Sequence, residues 1–185
     1  MTIVHVGGAR GCGKTTVLKE VAQLVGKDEM HIVYASEVLA SVAMKTFGEP
    51  WLGLGDIERK KVRDATISYI TKLQTGIVLV DSHYVELDND HVKAIVPDDF
   101  NKGIGCHIII EAPPKYVQAR RQADNFKFRT TDISSIKKEI TAEREEAQRL
   151  AGLTGASLYM VENVYVSHAA SNVISLLRTG VRIWK

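Results

Sequence analysis

The chain has 185 residues, 45% of them hydrophobic and 25% charged, with a net charge of +2. That length fits one domain with its own core, and the balance is that of an ordinary globular protein rather than a disordered chain. The charge is too small to argue for nucleic acid or an anionic membrane, no apolar run approaches the ~20 residues of a membrane span, and no leader peptide is visible. Two cysteines, Cys12 and Cys106, have neither metal spacing nor a disulfide framework, so a reducing, cytoplasmic setting is expected.

Ile3-Val4-His5-Val6 reads as a strand, and Val17, Leu18, Val21, Ala22, Leu24 and Val25 place a helix over residues 15–25, stopped by Gly26. Between them lies Gly8-Ala9-Arg10-Gly11-Cys12-Gly13-Lys14-Thr15-Thr16. Gly8, Gly13, Lys14 and Thr15 satisfy G-x-x-x-x-G-K-[ST], the phosphate-binding P-loop, and the strand–loop–helix context agrees with it. Glycines let backbone N–H groups turn around an anion, and the following helix aims its N-terminus at the same anion. Lys14 is expected to reach the β- and γ-phosphates of a nucleoside triphosphate, and the Thr15 hydroxyl to ligate Mg²⁺.

Residues 31–34 form a second expected strand. Ser36 caps an expected helix over 37–47, and residues 48–55, rich in glycine and carrying Pro50 and Trp51, read as a loop. Asp56 caps a long amphipathic helix reaching about residue 73. The apolar run 77–80 reads as a central parallel strand covered on both faces, followed at once by Asp81-Ser82-His83. Asp81 therefore sits at the sheet's carboxyl edge near the loop, where an acid can hold Mg²⁺, and His83 is a candidate substrate contact. Residues 84–97 are acidic and read as a loop. Residues 106–110 form another buried strand, 115–125 a helix and 126–131 a basic connection. Asp132 caps a helix to about 153, residues 157–161 are the last clear strand, and 167–177 a terminal helix. Residues 181–184 are a short candidate strand.

Five apolar strands alternating with helices predict an α/β, three-layer P-loop fold: a five-stranded parallel sheet with helices on both faces, in one domain over 1–185. Ligands of such sheets collect at the carboxyl ends of the strands. The loop, Ser36, Asp81 and Glu111 all fall there. Arg120, Arg121, Lys127, Arg129 and Arg144 flank the basic connection as a lid would, and arginines supply permanent planar charge for a transferring phosphoryl group. Lys137, Lys138 and Arg149 read instead as partners of Glu139, Glu143, Glu145 and Glu146 on a solvated helical face.

The ordered set Gly8–Thr16, Asp81-Ser82-His83, Glu111-Ala112-Pro113-Pro114-Lys115, Arg120-Arg121-Gln122, Arg129, Thr131-Asp132 and Arg144 resembles the archaeal-type adenylate kinases, a family of P-loop nucleoside monophosphate kinases. The resemblance implies transfer of the γ-phosphate of ATP to AMP with Mg²⁺. It implies that Gly8 to Thr16 bind ATP, that Thr15 and Asp81 organise the metal, and that Lys14, Asp81, Arg121, Arg129 and Arg144 carry catalysis. It further implies a monophosphate-binding arm over about 36–73 starting at Ser36, a lid over about 121–132, and the homotrimer that archaeal members of the family often form. Nucleotide substrates are the expected partners, with no membrane and no nucleic acid. The chain departs from that family on the acceptor side. Residues 48–55 hold no arginine, and residues 84–90 are acidic, leaving Arg10, Arg59, Arg63 or Lys93 to meet an acceptor phosphate, with His83 beside Arg10. A kinase of a small non-nucleotide metabolite would explain the departure. A P-loop ATPase acting as an assembly or regulatory factor is the other alternative. A GTPase is strongly disfavoured, because Asn101-Lys102-Gly103-Ile104 lacks the final acid of its guanine-reading motif and Tyr84 stands where the glycine of Asp-x-x-Gly would be.

Overall fold

The computed structural model describes residues 1–25, 30–73, 76–88, 91–124 and 129–179. Gly26, Phe126, Lys127 and the candidate strand 181–184 lie outside these. Five parallel strands form the sheet: β1 (Thr2–Gly7), β2 (Met30–Tyr34), β3 (Ile77–Asp81), β6 (Ile104–Glu111) and β7 (Ser157–Glu162), in the order β2-β3-β1-β6-β7. A separate antiparallel hairpin joins β4 (Val85–Asp88) to β5 (His91–Ala94). The helices are α1 (Lys14–Val25), α2 (Ala35–Phe47), α3 (Asp56–Thr71), the short α4 (Asp98–Asn101), α5 (Pro114–Ala123), α6 (Ile133–Thr154) and α7 (Val166–Thr179). The expected α/β sheet with helices on both faces is what the chain forms.

Two apolar clusters explain the layering. Val17, Leu18 and Val21 of α1 and Ala169, Ala170, Val173 and Leu177 of α7 pack with Val4, Val6, Leu79, Ile108 and Ile110 from one face of the sheet. Ile70 of α3 and Ala142, Ala147 and Leu150 of α6 pack with Ile3, Val78, Val80 and Ile109 from the other. A strand's side chains alternate between faces, so β1, β3 and β6 supply both clusters. Their runs are apolar throughout for that reason. A third, smaller cluster of Ala43, Leu54 and Val62, with Leu39, Phe47 and Trp51 beside it, holds α2 against α3. In it the Trp51 ring lies 5.7 Å from the Arg59 guanidinium carbon and 5.8 Å from that of Arg63.

Several local expectations are corrected. Ser36 does not cap α2: β2 runs straight into the helix, which begins at Ala35 with Tyr34 at the cap position and no side-chain cap. Gly55, not Asp56, caps α3, and the Glu58 carboxylate accepts from Gly55 N at 2.9 Å. Asp56 and Glu58 complement the first turn's partial positive charge instead. Asp132 does cap α6, accepting from Ser135 N at 2.7 Å. The stretch read as a loop over 84–97 contains the β4–β5 hairpin. Its register pairs Val85 with Ala94 and Leu87 with Val92. Val85 and Leu87 alternate with Glu86 and Asp88, and Val92 and Ala94 with His91 and Lys93. The period-two signal of a strand is therefore in the sequence, in two runs of only four residues, although only Val85 of the four apolar residues is buried.

Candidate active site

β1 delivers the chain to Gly7, and α1 leaves from Lys14, so residues 8–13 turn over the carboxyl edge of the central strand. Gly8 and Gly13 have φ of 132° and 91°. A Cβ at Gly8 would lie 2.1 Å from the Ile110 carbonyl oxygen, and one at Gly13 2.4 Å from Asn163 Nδ2. Only glycine fits either position. Lys14 arches back over the loop, its Nζ donating to the Gly8 carbonyl at 2.5 Å, 3.4 Å from His83 Nδ1. Among the described residues no acceptor meets the N–H of Gly11 or Gly13. These amides and the first turn of α1 form an anion cradle.

β3 lies beside β1, with Asp81 opposite Val6. That register brings Asp81 to α1, where it accepts from Thr15 Oγ1 at 2.6 Å. Two hard oxygens on adjacent elements suit Mg²⁺, which takes one or two protein ligands and completes its shell with water and phosphate oxygens. Among the described residues there is no cluster of three or more His, Cys, Asp or Glu that would make an all-protein metal cage.

The mouth of the loop is lined by groups from α6. Glu143 is fully buried. Its Oε2 accepts from the N–H of Gly8 at 3.1 Å and of Tyr84 at 3.0 Å, and its Oε1 lies 3.2 Å from His83 Nδ1. His83 Nδ1 is also 2.9 Å from the Gly8 carbonyl oxygen. Burial would raise the Glu143 carboxyl, but its hydrogen bond with His83, the charge of Lys14 and the Tyr84 N–H together hold it below the usual range. Burial and Lys14 lower His83, outweighing Glu143, so the imidazole is neutral near pH 7. One turn earlier, Glu139 accepts from Arg10 N at 2.8 Å and from Arg121 Nη2 at 2.6 Å, with Arg10 Nη1 at 3.5 Å. Arg121, buried, spends its remaining reach on the Arg10 carbonyl, from Nε at 3.0 Å and Nη2 at 2.7 Å, and on the Thr130 carbonyl, from Nη1 at 3.0 Å.

A family model described as an AAA domain matches residues 7–138 of this chain, from the end of β1 into α6. The chain belongs to that family. Among solved structures, shikimate kinase from Acinetobacter baumannii in complex with shikimate is 14% identical, with a TM-score of 0.64, covering 98% of this chain and 96% of that one. Shikimate kinase from Bacteroides thetaiotaomicron is also 14% identical, with a TM-score of 0.63 over 96% and 98% of the two chains. A gluconokinase from Sinorhizobium meliloti reaches 0.51 at 14% identity over 98% and 97%. These likenesses establish that this AAA-domain family member has the fold of the P-loop kinases.

In this P-loop kinase fold the residues read from the sequence divide into two groups. Lys14, Thr15, Asp81, His83, Arg10 and Arg121 converge on the loop. Arg144 does not: it forms a bidentate pair with Glu111, Nε to Oε1 at 2.9 Å and Nη2 to Oε2 at 2.6 Å. That pair lines a cavity of about 470 Å³ with Pro113, Lys137, Thr141 and Glu162, at the carboxyl ends of β6 and β7. Arg129 faces Asp124 at 3.6 Å, and Ser36 is exposed in the first turn of α2.

The solvated reading of Glu139 and Glu143 is corrected, because both are buried against the loop. The signal was present in the spacing. Ile136, Glu139, Glu143, Ala147 and Leu150 form one helical stripe, and carboxylates inside a core-facing stripe need buried donors. Asn163 and Arg120 also had no role assigned on the loop. Asn163 Nδ2 and Arg120 Nη1 donate to the Cys12 carbonyl at 2.8 Å and 2.7 Å, and Arg120 Nη2 donates to the Asn163 carbonyl at 3.0 Å. Cys12 thus works through its backbone. Its thiol is fully buried, and burial pushes it up.

Proposed function

We propose that the protein is an ATP-dependent phosphotransferase whose acceptor is a hydroxyl group of a small metabolite bearing no phosphate at its reacting end. One observation carries the acceptor: the loop amides at Gly8 and Arg10 face the carboxylates of Glu143 and Glu139. A monophosphate acceptor would bring a dianion toward this wall, where Arg121 is already committed to Glu139 and, of the two arginines, Arg10 alone keeps a partly exposed guanidinium. A neutral hydroxyl meets no such repulsion. The gluconokinase and shikimate kinases share the fold and are named for hydroxylated small molecules, which supports the same reading.

In this reading the amides of Gly11 and Gly13, the first turn of α1 and Lys14 hold the phosphates of ATP. Thr15 and Asp81 would hold Mg²⁺, which supplies charge neutralisation on the phosphate oxygens when bound. Asp81 also fixes the Thr15 hydroxyl. His83, neutral and tied through Nδ1, stands beside Lys14 as a contact for the acceptor. No covalent enzyme intermediate is needed, because phosphoryl transfer is catalysed by positioning and charge.

A coupled assay for ADP, run with nucleoside monophosphates, hydroxy acids and sugars, tests the proposal. ADP formation with a hydroxylated metabolite and none with AMP is the expected pattern. A second reading, AMP as acceptor, draws support from the arm. There Arg63, stacked with Arg59 on Trp51, forms no ion pair with any described residue. Turnover of AMP at micromolar KM would establish it and remove the first proposal.

A further inference from the structure

Arg10 occupies a motif position that tolerates any residue, yet every polar group it has on the backbone is gripped. Its N–H goes to Glu139 at 2.8 Å, and its carbonyl takes two bonds from Arg121, at 3.0 Å and 2.7 Å. Its guanidinium lies 3.5 Å from Glu139 Oε1, with the side chain 29% exposed. Glu139 and Arg121 are themselves joined at 2.6 Å, with side-chain exposures of 4% and 1%. Arg121 has therefore committed its donors within the protein, while Arg10 keeps a guanidinium edge at the mouth of the loop.

We infer that Arg10 is the charge-stabilising arginine of the transfer step, and that Glu139 and Arg121 are positioning residues that hold it there. The inference rests on the phosphotransferase reading above. The acceptor oxygen forms a bond to the γ-phosphorus as the bond from that phosphorus to the ADP oxygen breaks, its electron pair passing to ADP. The acceptor's proton leaves to water. Charge on the moving group's equatorial oxygens is met by planar, permanently charged N–H donors. Glu139 serves this in two ways: it sets the loop's turn through Arg10 N, and it limits where the Arg10 side chain can point. The contact also balances the charge of Arg121, which could not otherwise stay buried.

The test compares binding of MgADP alone with MgADP plus aluminium fluoride, a planar mimic of the moving phosphoryl group, by calorimetry. Wild type is expected to gain about a hundredfold from the fluoride complex, the scale of one well-placed transition-state donor. Arg10→Ala should lose that gain while binding MgADP alone within about threefold of wild type, and Arg10→Lys should recover only part of it. Glu139→Gln should lose about tenfold of the gain, and the double variant Arg10→Ala/Glu139→Gln should be no worse than Arg10→Ala, since the residues act as one unit. Arg10→Ala gaining as much as wild type would overturn the inference alone, and so would additive losses in the double variant. A wild type that gains nothing from fluoride would overturn the phosphotransferase reading itself. Arg10 is partly exposed, so its variants fold even where Glu139→Gln does not, and they decide the matter by themselves.

Discussion

Glu143 is the residue on which the loop's stability is expected to turn. Glu143→Ala removes the acceptor of two backbone N–H groups, Gly8 at 3.1 Å and Tyr84 at 3.0 Å, in a place with no solvent access. A buried donor left unpaired costs about 1–3 kcal/mol, so the pair amounts to about 2–6 kcal/mol. That is a large part of a total stability on the order of 5–15 kcal/mol. For a chain of this size the midpoint of thermal unfolding should fall by about 5–20 °C. Glu143→Gln keeps one carbonyl oxygen for the amides and should lose only about 1 kcal/mol at neutral pH. The two variants should also differ in their response to acid. The Glu143 carboxyl lies below its ordinary value in the folded state. Its contribution is therefore present above the unfolded pKa and is lost as pH falls through the folded one. The gap between wild type and Glu143→Gln should narrow below about pH 4. Circular dichroism melts from pH 7 to pH 3 measure all of this. A Glu143→Ala protein melting within about 2 °C of wild type would refute the reasoning, because the amides would then have found other partners.

Gly13→Ala should unfold about 1–3 kcal/mol more easily from its positive φ alone. The contact its Cβ would make with Asn163 at 2.4 Å adds to this, and MgATP titration should show at least about tenfold weaker binding. Acid should destabilise the sheet through two strand histidines. Burial, with the charge of His107 next, lowers His5 to about 3, and burial lowers His107 to about 4. Both stay neutral in the folded chain while the unfolded chain takes up protons below about 6.5. Urea midpoints should therefore fall by the equivalent of about 3–4 kcal/mol between pH 7 and pH 5, and a flat profile there would contradict the buried, neutral assignment. Arg144→Ala should cost less than about 1 kcal/mol, since its pair with Glu111 is 42% exposed on the arginine side. MgATP affinity should be unchanged in calorimetry, whereas a large loss would restore Arg144 to the phosphate clamp.

The sites that were easy to read are those whose geometry is local. Lys14 and Thr15 follow Gly13 on the same turn, and Asp81 follows an apolar strand that can only lie inside the sheet. Arg121 could be placed near the loop but not assigned its partners, because its bonds run to Arg10, more than a hundred residues earlier in the chain. Glu139 and Glu143 stand in a core-facing stripe that marks them for burial, but the donors that meet them, on Gly8, Arg10, Tyr84 and Arg121, are distant in the chain and appear only in the folded structure. Arg144 follows Glu143 directly, and the ~100° between successive helical residues carries it to another flank of α6.

By itself the amino-acid sequence determined the α/β class, the strand–loop–helix of the P-loop and the acid at the sheet edge beside it, since periodicity and short spacing are written in consecutive residues. Tertiary structure alone decided what faces the loop from across the cleft. The packing of α6 against the sheet brings two carboxylates and Arg121 to the loop's mouth and sends Arg144 to Glu111. That choice depends on the rotation of one helix about its axis, which its hydrophobic stripe specifies only once the surface it packs on is in place.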